Sequence, residues 1–234
     1  MGSSPSGTDS LAVEVAPRDH WPEMQALVCV VSDKKKGTSS TSGMQRTVET
    51  STLLQHRIKE VVPKRMEQMI KAIKEKDFTT FAEITMRDSN SFHAVALDTD
   101  PPIFYMNDTS RAIIAVIVEY NRASVAAGGA VKAAYTFDAG PNAVIYALEK
   151  DMREIIQLVC YFFPQSMAFE DPMGIFPQGV QSAVPEGFEV NVGKVTEVGA
   201  VSRLIHTRVG DGPRVLDEGE ALLAPDGSPV ALQK

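Results

Sequence analysis

The sequence predicts an α+β fold, an antiparallel sheet with helices packed on one face, and three observations carry that expectation. Residues 25–32 (QALVCVVS) are a nearly continuous apolar run of strand length. From Val48 through residue 122, helical spacing of apolar residues dominates. Residues 134–146 (AYTFDAGPNAVIY) then set two apolar, aromatic-rich runs around a short turn, the pattern of a hairpin. The order is strand, several helices, two paired strands, helix, strand, with helices segregated from the sheet.

Taken in order, residues 1–10 are polar and small and read as disordered chain or linker. Residues 11–17 (LAVEVAP) alternate like a strand, and the 25–32 run reads as a buried one. The hydroxyl-rich stretch 33–45 (DKKKGTSSTSGMQ) is a loop leading into a helix. A helical pattern runs from Val48 to Lys76, with Val61-Val62-Pro63 as a break or as the first turn of a second helix. Proline lacks the N–H that a helix interior needs but fits a first turn. Met66, Met69, Ile70 and Ile73 make an i, i+3, i+4, i+7 stripe, a pattern far more often core than a ligand box, so a core stripe is expected. Phe78 to Leu97 is the next helix, followed by Pro101-Pro102. Asn107 is the expected N-cap of the apolar helix DTSRAIIAVIVEYNR. Residues 151–163 (DMREIIQLVCYFF) form an amphipathic helix and 200–209 (AVSRLIHTRV) a last strand. Residues 164–199, rich in Pro, Gly and Phe, show no clear period, and there is no internal repeat.

The bulk numbers exclude several classes. A chain of 234 residues makes one large domain or two small ones. Hydrophobic residues at 44% and a mean hydropathy of -0.08 suit an ordinary globular protein. No apolar run approaches the roughly 18 residues of a membrane span, and the start is not a secretory signal, so a cytoplasmic protein without membrane association is expected. A net charge of -7, with Lys34-Lys35-Lys36 as the one basic run, argues against a nucleic-acid partner. Cys29 and Cys160 suit buried thiols in a reducing compartment. His20, His56, His93 and His206 have no metal-ligand spacing, so no protein-held metal is expected.

One residue stands out. Asp138 falls where a strand ends and a Gly-Pro turn begins. Two readings compete: an ordinary turn aspartate, or a carboxylate held on a rigid corner for chemistry.

Further segments, in order, carry a likeness. They are 15–24 (VAPRDHWPEM), 30–45 (VVSDKKKGTSSTSGMQ), 48–66 (VETSTLLQHRIKEVVPKRM), 86–94 (MRDSNSFHA), 97–108 (LDTDPPIFYMND) and 134–144 (AYTFDAGPNAV), with 209–217 (VGDGPRVLD) as a tail. The chain resembles the C-terminal half of the diphosphomevalonate decarboxylases of the GHMP kinase superfamily. The lysine and tyrosine, the Gly/Ser-rich phosphate loop and the carboxylate-gripping arginine of that family's N-terminal half have no counterpart here. The expectation is therefore an incomplete form. Residues 1–24 would be a remnant of the N-terminal domain, including a remnant strand, with linker. Residues 25–234 would be the ferredoxin-like GHMP kinase C-terminal domain.

The resemblance implies ATP- and Mg²⁺-dependent decarboxylation of (R)-5-diphosphomevalonate to isopentenyl diphosphate, in a homodimer. It gives catalytic Asp138 the role of facing the substrate's tertiary hydroxyl, as base or as orienting charge, and it favours that reading over the turn alone. It also implies that the hydroxyl loop contacts the substrate diphosphate through Ser39, Ser40 and Thr41, with Met44 in the helix that follows and Lys35 as a mobile cation. Hydroxyls and backbone N–H groups at a helix start are suitable donors. N-capping by the hydroxyls and a solvated Lys35 remain open alternatives. Ser89 and His93 share one helix face and can line a cleft, His93 being a structural histidine. The competing function is a catalytically silent α+β domain that acts as a binding or dimerisation module.

Overall fold

The computed structural model describes residues 4, 6–31, 40–212, 214–224 and 226–230. Strand β1 (Met24–Val30) is central. Strands β2 (Ala133–Phe137), β3 (Ala143–Leu148) and β4 (Arg203–Arg208) complete a four-stranded antiparallel sheet of order β2-β3-β1-β4. The nearly continuous apolar run of β1 follows from its place between β3 and β4, where Leu27 lies opposite both Ile145 and His206.

Alternation sorts the side chains by face. Leu27, Cys29, Tyr135, Phe137, Ala143 and Ile145 are buried against α5 (Asp108–Ala126) and α6 (Glu149–Phe162), the main core. On the other face, Ala26, Val28, Val144 and Tyr146 are only half-buried and Ile205 is exposed. There α4 (Phe78–Leu97) packs along β2, and its Phe78 and Ala82 close over Trp21, Met24 and Ala134. Cys29 and Cys160 are free thiols, and burial pushes Cys29 up to about 12 and Cys160 up to about 11.

The helical arm ahead of α4 comprises α1 (Ser40–Thr50), α2 (Thr52–His56), a π-helical turn at Arg57–Val61, and α3 (Val62–Glu75) with Pro63 in its first turn. Ser51 links the arm to the end of α4. Its Oγ accepts from Leu54 N–H and donates to Asp98 at 2.8 Å. Asn107 caps α5 in a reciprocal capping box with Ser110, as its place in the sequence predicts.

Three expectations change. Residues 11–17 form no strand: Leu11 and Val13 are 77% and 83% exposed, and no neighbouring strand offers the ladder partners that alternation alone cannot supply. Ser40 and Thr41 do not precede the first helix but begin it. Residues 164–199 contain a single short 3₁₀ turn, Val190–Val192, yet they are anchored, because Phe176 and Phe188 are buried in the main core and Phe169 packs on it. Among the described residues, no helix is long and apolar enough to cross a membrane.

Candidate active site

The β2–β3 hairpin leaves Asp138 as the first residue beyond β2, with its side chain exposed. Its backbone position is fixed from four directions. Gly140 N–H donates to Asp138 O at 2.8 Å, closing a tight turn. Ser110 Oγ, at the start of α5, donates to Pro141 O at 2.8 Å. Val31 N–H, where the chain leaves β1, donates to Asn142 Oδ1 at 2.8 Å. On the α4 side, Phe137 N–H donates to Ser89 Oγ at 3.0 Å and His93 Nε2 lies 3.4 Å from Phe137 O. A carbonyl only accepts, so Nε2 carries the proton in that bond. His93 is buried among the rings of Phe92, Tyr105 and Phe137, and this burial holds its pKa below the usual histidine range, against the opposing pull of the Phe137 carbonyl and the Asp138 charge.

Beside the corner lies a cavity of about 550 Å³ between α3, α4 and the β2–β3 hairpin. Met66, Met69, Phe81 and Phe92 supply an apolar wall, and Thr136, Asp138 and Ser89 are polar lining. The Met66-Met69-Ile70-Ile73 stripe, expected in the core, is not buried: Met66 is 54% exposed, and Met66, Met69 and Ile73 face this cavity, because α3 packs on α4 and leaves that face open. A second polar cluster is Arg57, Arg65 and Asp88. Arg57 grips Asp88 with two parallel bonds of 2.8 and 2.7 Å and reaches Ser91 Oγ at 3.0 Å, while Arg65 adds a bond of 3.0 Å to Asp88 Oδ1. Partial burial raises the Asp88 pKa, but the two guanidiniums outweigh it and hold the carboxyl below its ordinary range.

The π-turn explains how both arginines reach one carboxylate. Eight residues of α-helix, at ~100° each, would set Arg57 and Arg65 about 80° apart around the axis. The extra residue of a π-turn brings them back towards the same side.

The structure brings together some of the residues singled out in the sequence. Asp138 and Ser89 line the cavity, and His93 stands directly behind the corner. Met44, in α1, is 63% exposed, Thr41 is exposed, and neither lines this cavity. Ser40 is the first residue of α1, and Lys35 and Ser39 lie outside the described residues. Arg57, Arg65 and Asp88 were not anticipated. Their sequence signal was membership of the segments 48–66 and 86–94 that carry the resemblance, which by itself does not show that the three side chains meet. Among the described residues, no group of three or more His, Cys, Asp or Glu side chains is placed to hold a metal ion.

Comparison with known proteins gives consistent results. The family described as mevalonate 5-diphosphate decarboxylase C-terminal domain matches residues 26–216. The diphosphomevalonate decarboxylase of Ganoderma lucidum is 65% identical over 230 residues, covering 98% of this chain and 58% of the relative. The structure of mevalonate diphosphate decarboxylase from Trypanosoma brucei superposes with a TM-score of 0.83 at 33% identity, covering 95% of this chain and 58% of the other. A solved structure described as MDDEF in complex with MVAPP, AMPPCP and magnesium has a TM-score of 0.56 at 31% identity, over 64% of this chain and 44% of that one. The chain thus spans a little over half the length of the curated relatives it matches.

Proposed function

The chain belongs to the diphosphomevalonate decarboxylase family, and from that premise we propose that it is the Asp138-bearing part of an enzyme that decarboxylates diphosphomevalonate at the expense of ATP. One observation carries the reading. Asp138 is an exposed carboxylate on a corner held by β1, α4 and α5, and among the described residues no hydrogen bond engages the carboxylate itself. A solvent-facing acceptor on a backbone anchored by hydrogen bonds is what proton transfer from a bound hydroxyl requires.

In this reading the tertiary hydroxyl of diphosphomevalonate points at Asp138, which orients the O–H and takes its proton as the oxygen is phosphorylated. The phosphorylated oxygen then leaves as inorganic phosphate while the bond to the carboxylate carbon breaks. The products are CO₂ and the alkene of isopentenyl diphosphate. ATP supplies the phosphoryl group. This chain builds no cage of three acidic, His or Cys ligands among its described residues, so no step is assigned to Mg²⁺ here. The use of ATP and Mg²⁺ is supported by the neighbour described with AMPPCP and magnesium, and both are proposed to be held chiefly by the part of the relatives that this chain does not span. Ser39, Ser40, Thr41, Met44 and Lys35 are proposed for the diphosphate. Lys35 and Ser39 fall in the sequence between Val31 and the start of α1 at Ser40, Thr41 and Met44 belong to α1 itself, and Val31 is tied to the Asp138 corner through Asn142.

The test restores in frame the N-terminal part that the relatives carry and supplies diphosphomevalonate labelled at the carboxylate. Phosphate, ADP and labelled CO₂ are expected in equal amounts. ADP formed with a stable phosphorylated substrate and no CO₂ would overturn the assignment in favour of a simple kinase.

A further inference from the structure

Strand β2 lies at the edge of the sheet. The outward backbone groups of an edge strand are unpaired unless something covers them. Side chains do so at both ends of β2. At its start, Asn121 of α5 accepts from Ala133 N–H at 3.1 Å and donates to Ala133 O at 2.8 Å. At its end, Ser89 and His93 of α4 take the N–H and the C=O of Phe137. The two clamps are alike in form and differ in location: only the second adjoins Asp138.

We propose that Ser89 and His93 are positioning residues that fix the two successive peptides on either side of Phe137, the residue before Asp138, and so set the direction from which its carboxylate meets the cavity. The geometry favours this over edge protection alone. Asp138 has no hydrogen bond to its carboxylate among the described residues, so its placement depends on its backbone. His93 meets the C=O of the Phe137–Asp138 peptide that leads into it, and Ser89 the N–H of the Thr136–Phe137 peptide one unit earlier. Ser89 and His93 are one helical turn apart on α4 and meet the two polar groups of a single residue. Tyr135 OH also donates to Asn90 Oδ1 at 3.1 Å, holding the strand one step back on the same helix. A shift of about 1 Å at a reacting group costs on the order of 10²-fold in rate.

The inference rests on the reading of Asp138 as the acting carboxylate, and the experiment separates the two. In the enzyme with its N-terminal part restored, kcat and KM are measured for Ser89→Ala, His93→Gln, Asp138→Asn and Ser89→Ala/Asp138→Asn. Asn121→Ala, which removes the clamp at the far end of β2, is the control. Ser89→Ala is expected to lower kcat about 10- to 100-fold, with KM changed by less than about twofold. His93→Gln keeps a donor towards Phe137 O and retains more activity than Ser89→Ala. Asn121→Ala is expected to lower the melting temperature but leave kcat near wild type where the protein is folded. In the Asp138→Asn background, Ser89→Ala is expected to have no further effect, because it acts only through that carboxylate. Ser89→Ala with unchanged kcat, or with the same fold loss in both backgrounds, overturns the positioning role. An undiminished kcat in Asp138→Asn overturns the reading of Asp138 itself, and the positioning role with it. Amide hydrogen exchange on this chain reports the geometry independently of turnover: Phe137 N–H is protected in the wild type and exchanges faster in Ser89→Ala.

Discussion

Two carboxylates line one cavity and have opposite surroundings. Asp88 is held by Arg57 through two bonds and by Arg65 through a third. Asp138, at the hairpin corner, is exposed, and what is held there is its backbone. Asp88 is fixed through its side chain, so its charge is committed to joining the α3 arm to α4. Asp138 is fixed through its main chain, so its charge remains available to something entering the cavity. The lesson is that one residue type can be restrained at its side chain or at its main chain, and only the second leaves the carboxylate open to a molecule entering the cavity.

The comparison can be sharpened by removing the committed carboxylate. Asp88→Ala leaves two guanidiniums facing each other, and Arg57 is only 12% exposed along its side chain. The expected loss is about 2 kcal/mol, between the values for surface and buried pairs, or a melting temperature lower by roughly 4–8 °C for a chain of this size. Calorimetry on this chain measures it. A variant as stable as the wild type would mean that the Arg57–Asp88–Arg65 cluster does not hold the arm.

A smaller effect is expected with pH, in two separate windows. Asp88 has a folded pKa below its unfolded value, so its contribution is complete above the ordinary carboxylate range, about 3.9, and is lost as pH falls through the folded value. His93 and His206 are lowered by burial, so the unfolded chain binds protons first. Their contribution is complete above about pH 6.5 and declines as pH falls from there towards the depressed folded values. Denaturant melts between pH 7.5 and 3 are expected to show both declines. His93→Gln should reduce the upper one, leaving the share of His206, and Asp88→Asn should reduce the lower, to which Asp77, Asp98 and Glu119 also contribute. A stability curve unchanged by either variant would contradict the assignment.

What the sequence made legible was local. The hairpin and its corner follow from strand periodicity broken by Asp-Ala-Gly-Pro-Asn, and Asn107 was identifiable as a cap because capping depends on a few neighbouring residues. Asp138 stood out on that corner for the same reason, while the preference for a chemical role over a turn came from the resemblance. The pairing of Arg57 and Arg65 on Asp88 was not legible, because it needs a π-turn to align the arginines and tertiary packing to bring α4 against them. Residues 164–199 were opaque because their order comes from Phe169, Phe176 and Phe188 gripping a core built elsewhere, with no repeating pattern. Residues 11–17 failed in the opposite sense: they alternate well but have no strand beside them.

The measurement that bears most directly on the division between the two carboxylates is turnover by Asp138→Asn in the enzyme with its N-terminal part restored, read together with its melting temperature. Asparagine keeps the size of the side chain and suits a turn equally well, while removing its charge and basicity. The account predicts kcat lower by on the order of 10²–10⁴-fold, about 3–5 kcal/mol of barrier, with KM and the melting temperature close to wild type. A kcat near wild type, whatever the shift in melting temperature, would show that Asp138 is a turn residue and that the cavity's chemistry lies elsewhere.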